Sequence, residues 1–333
     1  MAEDRGYLET LRSIAEMARS VEADESPEMT EGIVASHDGA APGSCILKRL
    51  PARLLVKAAE TAIQVNPLNA HHLLGIDGMA STGKAVPSPQ RISVVRQKYW
   101  GPSARQLPVS FMENTPLDLR DRIIAHLNAW AQTSCVSFVR TNGVGVVRIS
   151  RGPGGYYSYL GTDVLLIPQG QQTMNLEGFT MQTSEAEFRR VVRHEAGHTL
   201  GFPHEHMRAG LVARIDRDKA YVWFWENYGW DPLTVDQQVL TPLDEASLFG
   251  TPVDQTSIMC YQLPGSITKD GQPISGGLDI NTTDYLFAGS IYPKLALQMP
   301  PGTAADWDEK DDVVAPDVRA GLLQTVGSAP VGV

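Results

Sequence analysis

Residues 194–206 read HEAGHTLGFPHEH, four histidines and two glutamates in thirteen positions. The run sits at the end of SEAEFRRVVRHEAGHTLG (184–201), where Ser184 and Glu187 are spaced as a capping box. Phe188, Val191, Val192 and Leu200 recur at the spacing of one buried helical face. His194 and His198 are four apart, so they leave the helix from one side about a turn apart. Two imidazoles so placed can reach one metal ion, and Glu195 can reach a water on it. Gly201 suits the left-handed turn that ends a helix, and Pro203 stops the helix from resuming. The chain can then bring His204 back as a third nitrogen donor. Three protein donors leave tetrahedral zinc one open position, the mark of a catalytic rather than a structural site. A solvated polar helix end is the plain alternative. Five fixed positions in HExxHxxGxxH arise by chance on the order of once in 10⁵ chains, which decides for zinc.

HExxHxxGxxH is the metzincin signature, and such chains carry a methionine turn downstream. SIMCY (257–261) offers Met259 for that turn. Within the metzincins the sequence resembles astacins, whose third histidine is followed by a glutamate and then an arginine. Phe202, Glu205 and Arg208 stand in those places, and DRDKAYVWFWENY (216–228) resembles the astacin stretch DRDxYVxIxWENI. SIMCY resembles SIMHY, so the resemblance implies that Tyr261 sits at the metal and supports the transition state. GSIYP (289–293), preceded by Asp284, looks like the last helix of many metzincins. The resemblance covers roughly Leu107 to Pro293. Cys260 stands where astacins have histidine, and extra residues separate Arg208 from Asp216, so the chain is astacin-like. The resemblance implies a zinc-dependent endopeptidase that hydrolyses peptide bonds in protein substrates. His194, His198 and His204 would bind Zn²⁺, Glu195 would act as general base toward a zinc-bound water, and Tyr261 would assist. It also implies that substrate binds as an added strand on a sheet edge.

Working outward, LPVSF (107–111) reads as a strand. TPLDLRDRIIAHLNAW (115–130) follows as a helix with Thr115 at its N-cap and Leu119, Ile123, Leu127 and Trp130 on one face. CVSFVRT and VGVVRIS read as two strands divided by the Asn142-Gly143 turn signal. GTDVLLIP (161–168) reads as a further strand and is either the candidate substrate edge, with TMNL (173–176) behind it, or an interior strand, which its apolar run fits nearly as well. The expected fold class is α+β, layered: a mixed twisted sheet with an active-site helix, preceded by a small helical region. Residues 7–21 and PARLLVKAAETAIQV (51–65) have helical spacing, separated by a polar Gly/Pro-containing stretch. The expected domains are a helical N-terminal region (1–90), the peptidase domain (91–294) and an acidic Pro-rich tail (295–333).

A formal net charge of −10 argues against a nucleic-acid surface. No apolar run reaches the length of a membrane span, and the start lacks a signal-peptide pattern. Three widely spaced cysteines do not make a disulfide framework. The default expectation is a cytosolic chain with reduced thiols, export without a cleaved leader being the other route. Oligomeric state is left open.

Some residues carry two readings. His206 is out of register with the signature and reads as a residue behind the site or on the surface. The aromatics between Tyr221 and Trp230 read as core rather than as a specificity pocket. His37, His71, His72 and His126 read as surface or packing residues. Tyr156, Tyr157 and Tyr159 stay undecided. Metzincin zymogens often block zinc with a propeptide cysteine or aspartate, and Cys45 and Asp77 are the residues available. GSCILKR (43–49) is not the matrixin PRCG pattern, so a helical cap supporting the catalytic domain is the preferred reading of the N-terminal region. Two other functions compete with a general endopeptidase. One is a narrow-specificity processing or effector protease; the other is a catalytically silent zinc-stabilised binding module. Retention of Glu195, which a silent module does not need, argues against the last.

Overall fold

The computed structural model describes residues 45–69, 94–95, 98–244, 248–249 and 253–294. The expected helix over 7–21, Asp77, His37, His71, His72, the boundary near residue 90 and the acidic tail lie outside the described residues.

A five-stranded mixed sheet forms one flank of the molecule. Its strands are β1 (Arg105–Phe111), β2 (Val136–Arg140), β3 (Val147–Ser150), β4 (Tyr156–Ser158) and β5 (Met174–Leu176), in the spatial order β2-β1-β3-β5-β4. β1 pairs in parallel with β2 and β3, β3 pairs in parallel with β5, and β4 alone is antiparallel. Val109 pairs with Arg140 on one side and Val147 on the other. The Asn142-Gly143 segment therefore makes no hairpin; it carries the chain across β1 from one side to the other. Gly145 lies at the crossing, where a Cβ would meet Ser110 N at 2.6 Å and Pro108 O at 2.7 Å. Only glycine lets the two backbones pass so closely.

Helix α1 spans Leu55–Val65 and follows a 3₁₀ turn, Ala52–Leu54. Helix α2 spans Leu117–Leu127 and buries Leu119, Ile123 and Leu127 as its spacing predicts, with Trp130 just beyond. Its N-cap is Pro116 rather than Thr115, and no side chain caps it; the Thr115 hydroxyl instead donates to Glu113 O. Asn128 fastens α2 to the sheet by donating to Phe138 O and accepting from Phe138 N, both at 2.8 Å. The active-site helix begins with Glu185–Glu187, passes through a π-type segment Phe188–Val192, and ends as α3, Arg193–Thr199. Ser184 Oγ accepts from Glu187 N at its start, a cap worth ~1 kcal/mol. The Glu187 carboxylate does not close a capping box, because Arg190 holds it at 2.6 Å.

GTDVLLIP is not a strand. Gly161–Leu166 is a 3₁₀ helix, with Gly161 at φ 52°, where a Cβ would run into the Lys98 carbonyl. Buried Asp163 pairs with Lys98, and Arg148 donates to Ile167 O at 2.8 Å and Gln171 O at 2.7 Å. These tertiary bonds coil a run whose apolar pattern alone suits a strand. β4 is the sheet edge instead, and the TMNL strand β5 lies behind β4 rather than behind residues 161–168.

After Gly201 the chain forms a second flank. It contains α4 (Arg217–Tyr228), short helical turns, and α5 (Thr282–Ile291), which packs back toward the first flank. Its smaller apolar cluster includes Leu211, Ile215, Phe224, Val239 and Ile274. The expected layered α+β class is what the chain adopts. Among the described residues no helix is long and apolar enough to cross a membrane, and all three cysteines are free.

Candidate active site

Helix α3 is held at both ends. Trp130 Nε1 donates to Arg193 O at its start and Trp100 Nε1 to Thr199 O at its end, each at 2.7 Å, and the Tyr292 hydroxyl donates to Leu200 O. The bonds to Thr199 and Leu200 satisfy carbonyls that a helix end leaves orphaned. Gly201, at φ 95°, makes the left-handed turn, and its amide donates to His198 O at 2.8 Å. The chain then doubles back through Pro203 and places His204 beside the helix. The imidazole centroids of His194 and His198 are 4.7 Å apart, those of His198 and His204 4.6 Å, and those of His194 and His204 5.3 Å.

Which nitrogens face inward follows from the carbonyls behind them. His194 Nδ1 donates to Ile258 O at 2.6 Å and His198 Nδ1 to Phe202 O at 2.7 Å. In a neutral imidazole the other nitrogen then carries the lone pair. Burial supplies the neutral state: it lowers His194 to about 4 and holds His198 and His204 well below the usual histidine range. His198 Nε2 faces His204 Nε2 at 3.0 Å, and the buried His194 Nε2 has no hydrogen-bond partner. Unpartnered imidazole nitrogens converging in a dry site form a donor set that suits zinc. The donor atoms of these three histidines and the Cys45 sulfur all lie within 4.8 Å of one another.

Glu195 is fully buried, and neither carboxylate oxygen has a hydrogen-bond partner. Burial pushes its carboxyl up to about 8, against the pull of the Cys45 thiol and Arg190. Tyr261 has a buried hydroxyl without a partner, and its ring lies 4.4 Å from His204. His194, Glu195 and Tyr261 all line one cleft of about 540 Å³.

Beneath the histidines, Met259 is fully buried in the turn expected of it, and its carbonyl accepts from Glu205 N at 2.8 Å. A Cβ on Gly197 would run into the Met259 sulfur and approach Trp130 within 3.2 Å, so the turn can seat only against a glycine. Asp284 holds the turn from the other side, accepting from Ser257 Oγ at 2.6 Å and Ile258 N at 3.0 Å. Ile258 is the residue whose carbonyl orients His194, so Asp284 acts on the site through one intervening residue. Gly197 and this role of Asp284 escape a reading of the sequence. The HExxH pattern treats residue 197 as free, and only the packed Met259 reveals the constraint.

His206 is not on the surface. It is fully buried, donates through Nε2 to Gln238 O at 3.0 Å, and stacks on Tyr261 with centroids 4.2 Å apart. His126 is a packing residue, 5.1 Å from Phe188. Phe224 is buried in the second flank with Tyr221, Trp223, Tyr228 and Trp230 packed around it, as the core reading expects, though Trp223 and Tyr228 also reach the cleft. Trp225 is 62% exposed and belongs to neither. Tyr156 and Tyr157 lie in edge strand β4 and Tyr159 just after it. Glu205 is buried against Arg208 at 3.4 Å and accepts from Asp254 N at 3.3 Å; burial raises it to about 8. Cys45, which the sequence places in a supporting cap, lies at the three histidines.

The profile of the astacin peptidase family matches residues 93–273. Zinc metalloproteinase nas-27 of Caenorhabditis elegans is 33% identical over 137 residues, 40% of this chain and 28% of that one. Astacin-like metalloendopeptidase of Gallus gallus is 26% identical over 188 residues, 54% of this chain and 40% of its own length. The chain thus spans well under half the length of these curated relatives. A solved structure described as "Structure of myroilysin" is similar at a TM-score of 0.57 and 28% identity, covering 61% of this chain and 98% of the other. The profile match takes in more than half of the 333 residues, and with the histidine turn and the seated methionine inside it, the chain belongs to the astacin family of peptidases.

Proposed function

We propose that the chain is a zinc-dependent endopeptidase acting on protein or peptide substrates. The observation that carries this reading is the convergence of three neutral buried imidazoles with a buried carboxylate whose oxygens have no partner. His194, His198 and His204 would hold the ion. Bound zinc supplies Lewis-acid chemistry: it polarises the scissile carbonyl and lowers the pKa of water toward ~7. Glu195 takes the proton from the attacking water at a carboxylate oxygen and delivers it to the leaving amine. Its burial favours both roles, since a carboxyl with a raised affinity for protons accepts and returns one near neutral pH. The Tyr261 hydroxyl has no competing bond and stands ready to donate to the developing oxyanion. The edge of β4, where Ile46 N donates to Tyr156 O at 2.9 Å, is the edge on which an extended peptide would lie as an added strand in place of that segment.

Digestion of a proteome-derived peptide library, by the chain as purified and after limited proteolysis, tests the reading. Chelator-sensitive cleavage is expected. Glu195→Gln should keep the circular dichroism spectrum and one bound zinc while turnover falls by roughly 10²–10⁴-fold. Near-normal cleavage by that variant would sink the assignment of Glu195. Zinc binding without cleavage under every condition would favour a silent binding module.

A further inference from the structure

No hydrogen bond aims the side chain of Tyr261. Its hydroxyl is buried and without a partner, so the direction of the phenol must come from what its ring touches. Among the described residues, two imidazoles lie against it. The His204 ring is 4.4 Å away and tilted by 48°, and the His206 ring is 4.2 Å away at 16°, a near-parallel stack. His204 is committed to the ion, which leaves His206 as the contact whose placement does not depend on the metal.

His206 is itself fixed. It is fully buried, and its Nε2 lies 3.0 Å from the Gln238 carbonyl, which can only accept, so that nitrogen carries the proton. Gln238 belongs to a π-type segment, Asp236–Leu240, and its side chain clasps one stretch of backbone: Oε1 accepts from Leu47 N at 2.9 Å and Nε2 donates to Leu47 O at 3.4 Å. The other imidazole nitrogen, Nδ1, is buried without a partner. A phenylalanine would stack as well and leave no polar atom stranded, and stranding one costs stability. What the histidine adds over a phenyl ring is the tie to Gln238 O, which sets the plane of the ring. The zinc signature leaves residue 206 free, so metal binding does not account for it.

We infer that His206 is a positioning residue for the proposed reaction: tied to Gln238 O, it is the platform that holds the Tyr261 ring with its hydroxyl toward the developing oxyanion. The inference rests on the reading of Tyr261 given above. A donor aimed beforehand has no reorganisation to undergo as charge develops, so loss of the platform lowers kcat and leaves substrate binding alone.

Peptide cleavage at saturating zinc gives the first test. Tyr261→Phe should lower kcat about 10²-fold. His206→Ala should lower it about tenfold with KM within about twofold, and by less than about twofold when Tyr261 is already Phe. An equal loss in both backgrounds overturns the platform. His206→Phe fills the same space and covers the case in which the alanine variant does not fold. It keeps the stack, gives up the tie, and should lower kcat about threefold. A parent-like kcat in His206→Phe overturns the tie. Full turnover by Tyr261→Phe is a different failure, since it overturns the assignment of Tyr261 itself. The second readout needs neither zinc nor turnover. In full chain made with ring-labelled tyrosine, nuclear magnetic resonance reads the flip rate of the Tyr261 ring, whose signals are identified among the ten tyrosines by their absence in Tyr261→Phe. His206→Ala should raise that rate about tenfold or more, because the stacked ring no longer restrains the turn. An unchanged flip rate overturns the platform whether or not the chain cleaves peptides.

Discussion

The two flanks of the cleft are held together by different means. The flank before Gly201 carries the whole main sheet and buries Trp100, Trp130, Phe179 and Phe188 in one continuous apolar cluster. The flank after it has no strand in that sheet, and polar side chains fix much of its loop structure. Asp284 spans Ser257, Ile258 and Asn281, while Arg214 gathers Asp270, Gln255 and the Gln272 carbonyl. Asp254 accepts from Thr256 and Asn281. Hydrophobic burial is spread over many contacts and fails cooperatively, whereas a polar clasp fails where it stands. The first flank should therefore set global stability and the second should set the geometry of the site.

Truncating Trp130 would break this division most severely if it is mistaken. Trp130→Ala empties a fully buried site and removes the bond to Arg193 O, so a loss of about 3–5 kcal/mol in denaturant unfolding is expected. A loss below 1 kcal/mol would mean that the aromatic cluster does not dominate. Asp284→Ala should cost less, roughly 2–3 kcal/mol, yet weaken zinc binding about 10–100-fold by freeing the turn behind His194. Competition with a metal chelator measures that affinity, and an unchanged value would sever the proposed link through Ile258. Gly197→Ala tests the seam between the flanks. Its Cβ must displace Met259, and about 1–3 kcal/mol of strain is expected, with turnover lost well before the fold. A thermal midpoint and activity equal to the parent would show that the Met259 turn is free to move.

The same contrast explains what is legible in the sequence. His194, His198, His204 and Glu195 come together through a helix repeat and one glycine turn, so their spacing carries the geometry. Leu119, Ile123 and Leu127 fall on the buried face of α2 for the same reason. Periodicity fails once distant partners decide the backbone. Residues 161–168 have the apolar run of a strand, but Lys98, Asp163 and Arg148 coil them, and none of those bonds follows a local pattern. His206 reads as a spectator because its partner is Gln238, 32 residues on. Cys45 sits in no recognised motif, and what brings it to the histidines is pairing with β4 and the clasp of Gln238, both remote in sequence.

Helix α1 follows residues 45–50 after a single 3₁₀ turn and packs against the Gly161–Leu166 segment. That short connection holds Ile46 beside Tyr156 at an effective concentration of about millimolar whatever the dilution of the protein. A peptide that pairs with β4 therefore has to displace a tethered neighbour, and its apparent affinity is set by the tether as much as by its own contacts.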